Sequence, residues 1–291
     1  MKYLVIPKAN IDLKIYQKAG ADAFIFGLQN YSVNYPEIPL EKIVELSKKY
    51  SIFVSLNKNI RNEELKDLEN ILETLSNTSI CGILFYDLSI LSIVQRKKLH
   101  LPLVWHQTHM VTNYQTCNYY FDQGVEYGIT SNEITLEEIL EMKKNTKMKL
   151  IPQILGYPIM SHSRRKLVEN YFKDIEEKPE KEIYRLTEKT EESFLIRESH
   201  AGTSILFGKP INGTKVLYEL LDHGFEYAIL DMTFLEDSTG LEMLELYQEI
   251  RNTFSKDTPI EREKKIRKSI SLIGDFTNFF YKKTIYKVKK G

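Results

Sequence analysis

Leu150-Ile151-Pro152-Gln153-Ile154-Leu155-Gly156-Tyr157-Pro158 carries an apolar run into a turn, and Ile159-Met160-Ser161-His162-Ser163-Arg164-Arg165 follows at once. The run Leu150 to Leu155 has the length and composition of a buried strand. Gly-Tyr-Pro stops it. Working outward, the same kind of run recurs at Tyr3 to Ile6, Ala23 to Phe26, Ile52 to Leu56, Cys81 to Tyr86, Leu103 to Trp105 and Tyr127 to Ile129. Ala228 to Leu230 repeats it once more, so the quoted stretch is the seventh of eight. Helical patterns separate the runs: a stretch ending near Lys18, Leu40 to Lys49, Glu63 to Leu75, Leu88 to Arg96, Tyr114 to Asp122, and Leu136 to Lys144 behind a Thr135 cap. Gly240 to Thr253 is a final helix. Such alternation predicts a parallel sheet with helices outside it. Eight repeats favour closure into a (β/α)8 TIM-type barrel over an open sheet. No glycine-rich dinucleotide fingerprint follows any strand, which weakens the open-sheet alternative further.

The spacing breaks once, after strand seven. Lys173 to Lys181 is charged and contains a proline, the pattern of an exposed connection. Ile183 to Thr187, Ser193 to Glu198 and Ile205 to Phe207 read as β-ribbon segments. A β-rich insertion over 173–213 therefore leaves the C-terminal rim, where barrel active sites lie, and reads as a lid or partner surface. The barrel itself is expected over 1–258, with 259–291 a basic, aromatic tail packed on it. That tail holds Lys264, Lys265, Arg267, Lys268, Lys282, Lys283, Lys287, Lys289 and Lys290 against the single acid Asp275 after Lys264. Phe276, Phe279, Phe280, Tyr281 and Tyr286 interleave, a mixture able to follow a nucleic-acid backbone and stack on bases.

Bulk composition narrows the classes. The 291 residues are 42% apolar, enough for a large core and too much for disorder. Forty basic and 40 acidic groups cancel, so no global field recommends a nucleic acid or a membrane. The two cysteines, Cys81 and Cys117, suit a reducing compartment and structural, buried roles. The opening Met1-Lys2-Tyr3-Leu4-Val5-Ile6-Pro7 is too short for a signal peptide, and no run reaches membrane-spanning length. A cytoplasmic protein is expected.

Candidate chemistry gathers at strand ends. Adjacent guanidiniums at Arg164 and Arg165 offer forks of donors matched to a carboxylate or a phosphate, without choosing between them. A neighbouring cation would hold His162 neutral at pH 7, ready as a base or donor. His106 and His109 follow strand five and, with Asp87 and Glu133, form a candidate mixed His/carboxylate set, more readily hydrogen bonders lining a pocket than metal ligands. Asn57, Gln153 and Asp231 fall at strand ends where ligand contacts are expected. His100 and His223 read as structural. No Gly-x-Ser-x-Gly elbow or His-Glu-x-x-His helix is present.

Several stretches resemble one family. Gly20-Ala21-Asp22-Ala23-Phe24-Ile25-Phe26-Gly27, Val111-Thr112-Asn113-Tyr114, Gly156 to Phe172, His200-Ala201-Gly202-Thr203 and the closing Phe279 to Lys290 are similar, in order, to peptidase family U32, the collagenase-like proteins of unassigned catalytic type. The likeness is to shorter, Bacillota-type members. It implies a barrel and adds Asn113, Tyr171 and His200 to the ligand-binding set. Better-known members carry cysteines just after the glycine of the strand-seven motif, where they help hold an iron–sulfur cluster. This chain has Tyr157, Ile159 and Lys166 there, so it is expected to hold no cluster by itself. It also has Ser204 where similar chains often carry a second histidine. The family label is peptidase, yet several relatives serve hydroxylation of tRNA wobble uridine, ribosomal RNA or quinone precursors. The RNA-directed ones are associated with prephenate, and some short members look like partners of a longer, cysteine-bearing paralogue. The resemblance thus implies a cluster-lacking component of tRNA hydroxylation that binds a small carboxylate such as prephenate, with tRNA or a paralogue as partner. A peptidase, metal-assisted through His106, His109 and Asp87, is the alternative, and a non-catalytic scaffold a third. Whether the chain is an enzyme stays open at this level.

Overall fold

In a computed structural model, residues 1–8, 12–107, 109–187, 193–277 and 279–281 are described. Strand one is Lys2–Ile6, followed by Ala23–Leu28, Ile52–Leu56, Gly82–Phe85, Leu103–Trp105 and Tyr127–Ile129 as strands two to six. Strand seven comes in two pieces, Lys149–Ile151 and Gln153–Gly156, and strand eight is Tyr227–Asp231. Every step between neighbours is parallel: Leu4 faces Ala23, Ile25 faces Phe53, Val54 faces Ile83, Leu84 faces Val104, Trp105 faces Gly128, and Gly128 faces Leu150. Strand one also pairs with strand eight, Leu4 against Ile229. The second piece of strand seven pairs with strand eight from the other side, Leu155 against Leu230. The curled sheet is therefore bounded by the two pieces of one stretch of chain, divided at Pro152, with Ile211–Asn212 added beyond the second piece.

Alternation along each strand fills two cores. Leu4, Ile25, Phe53, Leu84, Val104, Ile129, Ile151 and Ile229 meet inside the curl. Val5, Phe24, Val54, Phe85, Trp105, Leu150 and Leu230 point outward into the larger cluster beneath the helices. Burial on both faces is what a parallel sheet requires and why its strands read as nearly continuous apolar runs. The outer helices start on side-chain caps: Asp12 before Leu13–Ala19, Asp87 before Leu88–Lys97, Asn113 before Tyr114–Asp122, and Thr135 with Glu138 before Leu136–Asn145.

After strand seven the chain leaves the curl. Gly156 sits at φ +103°, and a Cβ there would lie 2.3 Å from the Asp231 carbonyl oxygen. Ile159–Ser163, Ile183–Thr187, Ser193–Ser199 and Gly202–Phe207 then build a separate four-stranded antiparallel sheet. Its edge strand Ile159–Ser163 is not legible as a ribbon, because Pro158 and a Ser-His-Ser run carry no apolar alternation. Arg164 and Arg165 thus follow a strand of this second sheet and not the barrel strand itself. The chain returns through Ile211–Asn212, antiparallel to the end of strand seven, and helix Thr214–Asp222.

Residues 259–281 are more ordered than a tail. Pro259–Ile273 is a helix opened by a Thr258–Glu261 capping box, and its buried Ser269 accepts a 3.1 Å hydrogen bond from Asn212. Phe279 and Phe280 are buried, Phe279 packing edge-on against Phe207 at 4.6 Å between centroids. Lys282, Lys283, Tyr286, Lys287, Lys289 and Lys290 lie outside the described residues. Among the described residues no helix is long and apolar enough to cross a membrane.

Candidate functional site

Several barrel strands end their inward apolar alternation at the C-terminal mouth on a polar side chain. Ser55 follows Phe53, His106 follows Val104, and Asp231 follows Ile229; all three are buried. Tyr35, from the loop after strand two, closes over them. It has room because strand two carries Gly27 beneath it, where a Cβ would lie 2.6 Å from Ser32 Oγ and 3.1 Å from Tyr35 Cβ. Tyr35 Oη stands 3.5 Å from His106 Nδ1, with the two rings nearly perpendicular at 86°.

Burial dominates the electrostatics of this layer. It lowers His106 to about 4, so the imidazole is neutral at pH 7. It raises Asp231 to about 6, although hydrogen bonds from Thr233 and the charge of Arg197 oppose the shift. The Tyr35 phenol is pushed up by burial and then by Asp231, so it keeps its proton.

Above the layer a cavity of about 570 Å³ opens between the mouth and the second sheet. Asn57, Lys58, Arg61 and Glu64 from the loop after strand three line one side, with His106 and His109 beyond them. Ser161, His162, Arg164 and His200 from the second sheet line the other. Two contacts join the sides. Arg164 Nη2 donates to the Asn59 carbonyl at 3.0 Å, and His200 Nε2 lies 3.2 Å from Glu37 Oε2. Burial raises the Glu37 carboxyl, with His200 the largest opposing influence. His162 Nδ1 meets Ser204 Oγ at 2.8 Å across the second sheet. Partial burial lowers His162 below its ordinary range, and Arg164 adds to this.

The structure thus brings Asn57, His106, His109, His162, Arg164 and His200 around one cavity and separates the rest. Asn57 is also a staple: its amide oxygen accepts from Ser32 Oγ and Val33 N at 2.9 and 2.8 Å, holding the loop that carries Tyr35. Asp231 lies beneath the floor. Glu133 reaches the wall only through His109, 2.6 Å from its Nδ1. Asp87 accepts from Ser89 N and Ile60 N, a helix cap and loop tie. Among the described residues no three His, Cys, Asp or Glu side chains converge as a metal set. Gln153 is engaged with Asn132 at 3.3 Å, and Asn113 caps its helix by accepting from Thr116 N. Arg165 is exposed and off the cavity wall, its backbone N donating to Ser163 Oγ at 3.2 Å. Tyr171 is 61% exposed against Phe172.

Tyr35, Glu37, Ser55, Lys58, Arg61 and Glu64 were not singled out by sequence. Ser55 left a signal, a lone hydroxyl in Ile-Phe-Val-Ser-Leu; Tyr35 and Glu37 left none, because a loop's reach into a barrel has no periodic signature. The cysteines lie elsewhere: Cys117 is buried in helix Tyr114–Asp122 with its thiol pushed up to about 12, and Cys81 precedes strand four at the far end of the barrel.

Comparison with known proteins places the chain. It is 27% identical over 305 aligned residues, covering 97% of this chain and 98% of the relative, to the "tRNA hydroxylation protein P2" of Bacillus subtilis (strain 168). The "tRNA hydroxylation protein P1" of the same strain is 27% identical over 176 residues, 58% of this chain and 42% of that protein. Among solved structures, thiamine phosphate pyrophosphorylase from Pyrococcus furiosus is 11% identical with a TM-score of 0.46, covering 87% of this chain and 96% of that one. A likeness that weak carries no argument. Peptidase family U32 matches residues 11–288, nearly the whole chain, and this protein therefore belongs to peptidase family U32.

Proposed function

We propose that this protein is a component of tRNA wobble-uridine hydroxylation whose barrel mouth binds a small carboxylate such as prephenate. The observation that carries the reading is the end-to-end match to a protein named for tRNA hydroxylation. The mouth agrees with it in chemistry. Arg164, bonded to the Asn59 carbonyl, and Arg61, 3.7 Å from Glu63, line the cavity as cations, and Lys58 is partnered by Glu64. Neutral His106 adds hydrogen-bonding capacity without a charge. In this reading the second sheet covers the bound carboxylate, and tRNA or a cysteine-bearing paralogue is met by the second sheet and the basic end of the chain, in the cytoplasm.

The chain enters as a cluster-lacking component. An iron–sulfur cluster takes about four thiolate-type ligands, and the residues present do not fit one: the chain has two cysteines, Cys81 before strand four and Cys117 in helix Tyr114–Asp122, and neither belongs to the strand-seven motif. The hydrolase alternative finds less support, since Asp87 is spent on backbone groups and, among the described residues, the histidines of the mouth meet no nucleophile arrangement beyond the His162–Ser204 contact.

Mass spectrometry of tRNA from a deletion strain tests the proposal. Loss of the gene lowers hydroxylated wobble uridine, wild type restores it, and Arg164→Ala restores it at least several-fold less well. An unchanged modification profile in the deletion strain sinks the reading.

A further inference from the structure

The second sheet meets the barrel differently at its two ends. At one end Ile159 pairs with Leu206, and Phe194 with Phe207. The outgoing and returning chains are bonded to each other there, Phe207 N donating to the Pro158 carbonyl at 3.0 Å and Ile211 pairing with Gly156. Phe194, Leu195 and Leu206 are buried at this end, and Phe207 packs on Phe279 as part of the larger core. At the opposite end Ser163 pairs with Thr203, and Ser199 with Gly202 across a hairpin whose tip carries His200. That end reaches the mouth through polar side chains, Arg164 Nη2 on the Asn59 carbonyl at 3.0 Å and His200 Nε2 at 3.2 Å from Glu37 Oε2.

The two attachments are unequal. Several large apolar side chains buried together make a firm anchorage. An exposed histidine on a carboxylate, and one hydrogen bond to a carbonyl, are each weak, because water replaces them at little cost. Asn59, His162, Arg164 and His200 all line the cavity, so parting the weak end opens it without breaking into either core. The sheet can move as one body. Its four strands are bonded in unbroken order, and helix Leu167–Asp174 is fixed to it by Thr203 and Glu198, which accept from its first amides. We propose that the second sheet is a hinged lid that pivots on its apolar end at 156–158 and 207–211, with the Arg164–Asn59 and His200–Glu37 contacts as the latch that holds it over the mouth. The lid governs entry whatever the cavity takes, and so is independent of the hydroxylation reading.

Pulsed dipolar electron resonance on the full chain reads the lid's position. Spin labels go on Lys66→Cys in the barrel and Lys173→Cys on the lid, both exposed, in a Cys81→Ser background. Wild type gives one dominant distance and a minor, longer one. Arg164→Ala and His200→Ala each raise the longer population about fivefold, the worth of one weak polar contact, and the double variant raises it further. Glu37→Ala, which removes the histidine contact from the barrel side, matches His200→Ala. A control pair within the lid, Lys173→Cys with Leu186→Cys, keeps its distance in every variant. A single distance in the double variant, a Glu37→Ala protein indistinguishable from wild type, or a shifted control pair overturns the lid. A fixed lid alongside lost hydroxylation in the deletion strain removes the lid alone. A moving lid with unchanged tRNA removes the hydroxylation reading alone.

Discussion

His106 and Asp231 share one polar layer and are displaced from ordinary acid–base behaviour in opposite senses. Burial lowers the folded histidine from the ordinary 6.5 to about 4, so its contribution to stability is present above 6.5 and is lost as pH falls toward 4. Burial raises the folded aspartate from the ordinary 3.8 to about 6, so its contribution is present below 3.8 and is lost as pH rises toward 6. Each displacement corresponds to about 3 kcal/mol at most. Between pH 4 and 6 the two slopes oppose each other, and the layer as a whole is nearly indifferent to pH. Asp231→Asn therefore leaves stability rising from pH 4 to 6.5 relative to wild type, and His106→Gln leaves it falling from pH 4 to 6. Urea midpoints measured across that range check both, and three parallel profiles would refute the opposition. Sequence placed both residues at strand ends, because a polar residue ending an apolar run is visible. It could not show that Tyr35 covers them, since that contact depends on Gly27 leaving space two strand positions from the mouth.

At the level of elements, the second sheet depends on two glycines. Gly156 turns the chain out of the barrel at φ +103°, and Gly202 closes the hairpin that faces Ser163 at φ +129°. A Cβ at Gly202 would lie 2.1 Å from the Ser163 carbonyl oxygen. Gly202→Ala combines left-handed strain with a backbone clash, a cost of about 2 to 4 kcal/mol. The expected outcome is local: faster proteolysis between residues 159 and 207 and weaker carboxylate binding, while the barrel's far-ultraviolet circular dichroism is kept. Loss of all structure at once would show that the sheet is not a separable element. The ribbon segments were legible at 183–187, 193–198 and 205–207, and the strands run Ile183–Thr187, Ser193–Ser199 and Gly202–Phe207. Ile159–Ser163, helix Leu167–Asp174 and helix Thr214–Asp222 were not legible, the first because its partners are supplied from far along the chain.

Across the whole molecule, the first and last parts of the barrel are tied by strand one and helix Asp237–Thr253. Tyr3 Oη donates to the Tyr247 carbonyl at 2.6 Å, and the Arg251 guanidinium lies 4.5 Å from the Tyr3 ring while bonding the Met1 carbonyl at 3.0 Å. Tyr3→Phe removes a second, buried hydrogen bond to a helical carbonyl and lowers stability by about 1 kcal/mol, read as a shift of the urea midpoint. No shift would mean that another donor takes its place. The eightfold alternation was readable because each strand is apolar over its own few residues. Helix Pro259–Ile273 was hidden because nearly half of it is charged and most of it faces solvent; buried Ser269, Leu272 and Ile273 against the core, and Lys265 on Asp257 anchor it. Pro152 has a different consequence. Strand seven is asked to bond neighbours on both sides, yet at its midpoint it has no amide hydrogen to offer strand eight, whose Ile229 N instead donates to the Pro152 carbonyl at 2.9 Å. The wall is thinnest there. In deuterated water, amides of Gln153 and its neighbours should exchange before those of strands one to four, marking the place where this ring unzips.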